Sequence, residues 1–251
     1  MDRLSNAFSA LELDADGDRD QITAAAAKVG ESSNVAGKKK KGDNSSDMVK
    51  KEKHNQQNLV MPSVDSINYK LPLVWIDLEM TGLDVEVDRI LEIACIITDG
   101  SLAKSIEGPD LVIHQTKECL DKMGEWCQDH HGANGLTNKV LQSTISEREA
   151  ERQVVEFVKK NMGTYTPLLA GNSVYMDFLF LKKYMPELAS LFSHVLVDVS
   201  SIRALCVRWY FKDYKKAPSK QKTHRAMDDI RESIMELKYY RESIFKAKTK
   251  K

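Results

Sequence analysis

Leu73 to Asp84, LVWIDLEMTGLD, is the stretch that most limits how this chain folds. Val74, Ile76 and Leu78 alternate with Trp75, Asp77 and Glu79. A strand has a side-chain period of two, so the aliphatic residues share one face and Trp75, Asp77 and Glu79 share the other. The aliphatic face suits a core. Two neighbouring carboxylates on the second face repel each other unless something positive sits between them. A hard divalent cation such as magnesium fills that role, since it takes oxygen ligands. On its own a DxE pair reads first as a strand end whose acids face water. Residues further along the chain change that reading.

The pattern around this strand is that of an α/β fold. Thr81-Gly82 is a turn signal, and Arg89–Thr98, RILEIACIIT, reads as a second strand. Asp99-Gly100 marks a hairpin-type turn, with a third strand expected within Asp110–His114. Lys117–His131 and Leu136–Ser143 read as short helices. Ser146 and Glu149 form a capping box for a long helix to Asn161, with Ala150, Val154, Val155 and Val158 as its apolar stripe. Leu168–Ala170 and Val195–Val199 read as two more strands. Gly171-Asn172-Ser173 opens a helix to Tyr184, another helix runs through Trp209, and Lys212–Lys222 reads as a basic loop. A last helix covers Ala226–Phe245. Three strands followed by alternating helix and strand predict a mixed five-stranded sheet flanked by helices.

Residues 1–69 contrast with this. They include GESSNVAGKKKKGDNSSDMVKKEKHNQQN, which has few apolar residues and no period, and cannot bury enough surface to offset its ordering entropy. We expect a disordered tail over 1–69 and a single folded domain over 70–247, within a chain of 251 residues. The Lys38–Lys41 run reads as part of a solvated tail rather than as a localisation signal or an RNA tether. The four cysteines form no CxxC pair, and Cys119, Cys127, His130 and His131 match no standard zinc spacing. Reduced thiols point to an intracellular protein, in the cytoplasm ahead of the mitochondrion or nucleus. No apolar run approaches a membrane span, and the acid-rich first residues fit neither a secretory signal nor an Arg-rich transit peptide. With 37 basic and 37 acidic residues, the chain lacks the positive excess needed to coat long nucleic acid.

Three further positions bear on Asp77 and Glu79. Asp177 lies one turn into the helix after Gly171-Asn172-Ser173, beside apolar Phe178, Leu179 and Leu181. An acid there is costly unless it is paired or holds a metal. In THRAMDDIRESIMEL, helical spacing groups Asp229 with Ala226, Ser233 and Leu237. It groups Asp228 with Arg231, Glu232 and Glu236, so Asp229 is the candidate for a site and Asp228 for a solvated position. His224 precedes Asp229 by five residues, about 500° of helix, which places it in the loop before the helix. Imidazole is the natural group for taking a proton near neutral pH.

WIDLEMTGLD, GNSVYMD and HRAMDD, in this order, resemble the DEDDh branch of the DnaQ-like 3′-to-5′ exonucleases, and more closely the oligoribonuclease family. DRILEIA, KYMPEL, DVSS and DDIRES match that family too, so the resemblance runs from about Leu73 to Phe245. It implies a ribonuclease-H-like fold and a homodimer that degrades very short single-stranded RNA, dinucleotides above all, from the 3′ end to 5′-mononucleotides. It also implies two Mg2+ or Mn2+ ions held by Asp77, Glu79, Asp177 and Asp229, which bind the scissile phosphate and lower the pKa of a water. His224 would take the proton from that water. Leu83 would wedge between the two terminal bases, Trp126 and His131 would line the nucleotide pocket, and Ser173 would contact the ligand.

The chain departs from bacterial relatives in one place. They carry a Tyr-Arg pair shortly before the DVS strand, whose arginine contacts the 5′ phosphate across the dimer. Here the positions read His194-Val195, and His194 is the candidate to replace part of that contact. Eight basic residues between Arg203 and Arg225 face one acid, Asp213, and lead directly into His224. The rival readings are a DEDDh exonuclease acting on longer RNA or DNA ends, and a catalytically silent relative that binds nucleic acid.

Overall fold

The computed structural model describes residues 69–219 and 225–245. The expected tail up to residue 68, and His224, lie outside the described residues. Strand β1 (Leu73–Met80) is the middle of a five-stranded sheet. β2 (Ile90–Thr98) and β3 (Ser105–Val112) extend it antiparallel on one side. β4 (Leu168–Gly171) and β5 (Leu196–Asp198) extend it parallel on the other, giving the order β3-β2-β1-β4-β5. The helices in chain order are α1 (Lys117–Leu120), α2 (Glu125–Ala133), α3 (Leu136–Gln142), α4 (Glu147–Met162) and α5 (Tyr175–Tyr184). They continue as α6 (Pro186–Ala189), α7 (Val199–Trp209), α8 (Phe211–Tyr214) and α9 (Ala226–Ser243). The mixed sheet flanked by helices is the architecture that the order of periodic segments predicts.

The sheet is buried on both faces. Val74, Ile76 and Leu78 pack with Ala150, Val154 and Val158 of α4 and with Phe180 and Leu181 of α5. Trp75, which the alternation places on a polar face, is 0% exposed. It packs with Ala94, Ile96, Val199, Ile230 and Leu237, and its indole N–H donates to Thr98 Oγ1 at 3.0 Å. Helices α7 and α9 cover that face, so it turns polar only at Asp77. Strand period separates the two faces but does not say how many of them are covered.

Local corrections have local causes. β3 starts at Ser105, earlier than the expected Asp110, and includes Gly108-Pro109. It is an edge strand, where proline is tolerated, and Phe157 fills the space that a Cβ on Gly108 would need. The segment Lys117–His131 forms two helices, with Thr116 capping the first and a break before Gly124 at the cap of the second. Ser146 caps α4 by accepting from Glu149 N, but the Glu149 carboxylate turns to Arg152 and Gln153, so half of the capping box forms. The start of the basic Lys212–Lys222 stretch is helical, as part of α8.

The spacing along α9 groups Glu236 with Asp228 on a solvated side, yet Glu236 is buried. Arg203 of α7 grips both of its oxygens at 2.6 Å, and Tyr240 Oη donates to one at 2.7 Å. The same guanidinium donates to Asn172 Oδ1 at 2.8 Å, tying α7 and α9 to the turn after β4. Removing one partner of a buried ion pair leaves an uncompensated charge, at a cost of about 3–5 kcal/mol. Glu236→Ala should lower stability by that order in a urea titration, whereas Glu149→Ala on the surface should leave the midpoint nearly unchanged.

Candidate active site

The site forms where β1 loses its parallel neighbour. β4 pairs with β1 only from Leu73 to Trp75. The chain leaves β4 at Gly171, where a Cβ would sit 3.0 Å from Ile76 O and 2.9 Å from the Val174 side chain. Helix α5 then takes the place of β4 beside β1. Asp177 in its first turn accepts from Leu78 N at 2.9 Å, supplying the partner that a strand would have given. Asp177 is 6% exposed, and burial pushes its carboxyl up to about 8, with nearby Asp198 adding to the rise.

On the other face of the sheet, Asp77, Glu79 and Asp229 each bring a carboxylate oxygen within 4.8 Å of the others. Asp177 is not in this trio. Asp228 turns outward to Arg231 Nη1 at 2.7 Å. Burial raises the Glu79 carboxyl well above its ordinary range, and Asp229, Glu92 and Asp177 add to this, while Arg225 opposes it. His131 of α2 is 2% exposed, its Nε2 lies 3.0 Å from Met80 O, and its Nδ1 lies 4.0 Å from Glu79 Oε2.

Two residues at the site escape the sequence reading. Glu92 faces Glu79 directly across the β1–β2 ladder and is 0% exposed. Arg225 holds it with contacts of 2.5 and 3.2 Å, just before the first turn of α9. Asp229 N in turn donates to Arg225 O at 3.0 Å, so this pair anchors the turn that carries Asp229. The available signal was an acid inside the apolar run RILEIACIIT, which must be paired if it is buried. Asp198 is the other buttress: its Oδ1 accepts from Ser173 N at 3.0 Å and from Ser200 N and Oγ at 2.9 and 2.7 Å. It thereby holds Ser173 at φ +55°.

The proposed ligand contacts differ in their placement. Leu83 is half-buried in the β1–β2 loop and belongs to neither core. Trp126 is half-buried and stacks on His130 with ring centroids 3.9 Å apart. His194 is exposed, two residues before β5. Leu196 is level with Val74, five residues before Glu79 or about 16 Å along the strands. His194 therefore lies towards the opposite end of the parallel strands from the acids of its own chain.

A family model described as an exonuclease, RNase T, matches residues 74–237. An oligoribonuclease from Arabidopsis thaliana is 60% identical over 248 residues, covering 99% of this chain and 100% of the relative. This chain belongs to the oligoribonuclease family. A family member from Pasteurella multocida is 51% identical over 179 residues, 71% of this chain and 97% of its own. A mouse member, named as mitochondrial, is 50% identical over 177 residues, 70% of this chain and 75% of its own. Among solved structures, exonuclease I from Methylocaldum szegediense superposes with a TM-score of 0.51 at 18% identity. That match covers 70% of this chain and 41% of the exonuclease I chain, and it shows a shared ribonuclease-H-like fold.

For this oligoribonuclease-family chain in excess chelator, the Asp177 carboxyl has a definite pH signature. Its folded value of about 8 lies above the unfolded carboxylate value of about 4, so the folded state binds more protons between them. Its contribution to stability is therefore lost as pH rises from about 4 to about 8. Asp177→Asn should gain in melting temperature over the parent as pH rises through that window. A constant difference would show that Asp177 is already ionised in the metal-free protein.

Proposed function

We propose that this chain is a 3′-to-5′ exoribonuclease that hydrolyses oligoribonucleotides of two to about five residues to 5′-mononucleotides, using two divalent cations. The observation that carries the reading is the trio of Asp77, Glu79 and Asp229, within 4.8 Å, in a chain of the oligoribonuclease family. Three converging carboxylates suit a hard cation such as Mg2+ or Mn2+, which offsets their mutual repulsion. Asp177 and Asp77 are the residues that would hold a second ion, Asp177 accepting from Leu78 N through Oδ1. Bound, the ions would polarise the scissile phosphate, acidify the attacking water and stabilise the leaving 3′ oxygen. His224, beside Arg225, is our choice for the group that takes the proton from that water.

Substrate length follows from charge. A grip on long RNA needs a continuous basic track, and the net formal charge is zero. In the basic run, Arg203, Lys216 and Arg225 are already held by Glu236, Asp213 and Glu92. What remains suits a few bases held by stacking, with Leu83 as the wedge and Trp126 and His131 beside it. Base stacking on an aromatic ring is worth about 1–3 kcal/mol, enough to rank ligands that offer two bases. We assign Ser173 to the ligand and His194 to the 5′ phosphate. The distance of His194 from its own acids supports a homodimer in which it serves the partner's site.

We take 70–247 as the exonuclease domain, and the family model matches residues 74–237 within it. No helix among the described residues is long and apolar enough to cross a membrane. All four cysteines are free, which supports a reducing, intracellular location; we favour the cytoplasm, with the mitochondrion or nucleus as alternatives that a fluorescent fusion would separate.

The decisive assay follows hydrolysis of 5′-labelled RNAs from two to twenty nucleotides. Catalytic efficiency should peak at two to five and vanish in excess EDTA. Rates that climb steadily to twenty would favour a general exonuclease. His224→Ala should lower kcat about 10²- to 10⁴-fold with Mn2+ binding nearly intact by calorimetry. Asp229→Asn should weaken Mn2+ binding and Asp228→Asn should not; equal losses would overturn the assignment of Asp229.

A further inference from the structure

The Asp88 carboxylate bonds both arms of the loop between β1 and β2, beside backbone bonds from Val87 N and Asp88 N to Asp84 O at 3.0 and 2.8 Å. Its Oδ1 accepts from Thr81 Oγ1 at 2.8 Å and its Oδ2 accepts from Asp84 N at 2.8 Å. Thr81 is buried, and its hydroxyl also accepts from Arg89 N at 3.0 Å, while Thr81 N donates to Arg89 O at 3.0 Å. A Cβ on Gly82 would fall 2.3 Å from Asp88 Oδ2, so the carboxylate occupies the space that this glycine leaves open. The backbone on both sides of Leu83 is thus held by the same group: Gly82 packs under it before, and Asp84 donates to it after. The far arm of the loop is tied to α5, where Tyr184 Oη donates to Val85 O at 3.0 Å and Lys183 pairs with Glu86 at 2.9 Å. Leu83 itself, half-buried, belongs to neither hydrophobic cluster among the described residues.

We propose that Asp88 is the residue that sets substrate-length preference, acting through Leu83 as a positioning residue. It fixes the loop so that the half-buried leucine stands ready between two bases without ordering cost on binding. Side chains that are held in place before the ligand arrives discriminate better than mobile ones, because the ligand does not have to order them. This rests on the reading of Leu83 as a wedge. It adds that the wedge works only while both oxygens of Asp88 hold its flanks, and it assigns to Thr81 the lesser share of the same task.

The test is a double-mutant cycle read as a ratio. The efficiency on a 5′-phosphorylated dinucleotide is divided by that on a ten-nucleotide RNA, for the full chain with Mn2+. Leu83→Ala should lower the ratio roughly ten-fold, the order expected for losing one well-placed base contact. Asp88→Asn, which keeps the shape but loses one acceptor, should lower it comparably, and Thr81→Val less. In a Leu83→Ala background, Asp88→Asn should add nothing, because its effect runs through the missing side chain. Val87→Thr, a change at an exposed side chain of the same loop, should leave the ratio at the parent value. Effects of Leu83→Ala and Asp88→Asn that multiply would overturn the inference and leave the wedge standing. So would an unchanged ratio in Asp88→Asn while Leu83→Ala lowers it. A ratio unmoved by Leu83→Ala would defeat the wedge reading, and the inference with it. If Asp88→Asn does not fold, Thr81→Val carries the same comparison with one hydroxyl removed.

Discussion

β4 runs beside β1 only as far as Trp75, and beyond that point the backbone of β1 needs another partner on that side. A buried N–H without one costs about 1–3 kcal/mol. Asp177 meets this need at Leu78 N, and it places a carboxylate at the very end of the strand that carries Asp77 and Glu79. The early end of β4 at Gly171 therefore does two things. It opens the C-terminal half of β1, and it brings the first turn of α5 into the gap. The price is a buried acid whose ionisation is unfavourable in the metal-free protein.

The same strand end gathers acids from its other face. Asp77 and Glu79 come from β1, Glu92 from β2 and Asp229 from α9, and Arg225 offsets one of the four, Glu92, through contacts to both of its oxygens. That leaves Asp77, Glu79 and Asp229 as the convergent donors. Arg225 also begins α9, so the charge that neutralises Glu92 fixes the helix that delivers Asp229. Electrostatics and backbone geometry are coupled there through a single residue. A comparable pair, Arg203 and Glu236, fastens α7 to α9 further along and reaches Asn172 in the turn after β4.

Around this centre the elements that would meet a nucleotide are each tied to the acid-bearing strand. The loop with Leu83 continues β1 directly, and α2, with Trp126 and His131, is bonded to Met80 O. Ser173 is held by Asp198 at the end of β5. His194 breaks this pattern, because the register of β5 carries it towards the other end of the sheet.

Much of this was legible in the sequence because it depends on short spacings. The period of two along Leu73–Met80 puts Asp77 and Glu79 on one face, and the spacing along α9 puts Asp229 with Ala226, Ser233 and Leu237, all three of which are buried. The order of strands and helices follows from the same periodicity. What only the tertiary structure decided are pairings across long separations. Leu78 meets Asp177 across 99 residues, Glu92 meets Arg225 across 133, and Glu236 meets Arg203 across 33. Glu236 was grouped with a solvated side, and Trp75 with two acids, because local spacing says which residues share a face but not what covers it. Burial is set by the helix or strand that packs there, and the choice among acids follows from which of them finds a cation or an N–H in that cover.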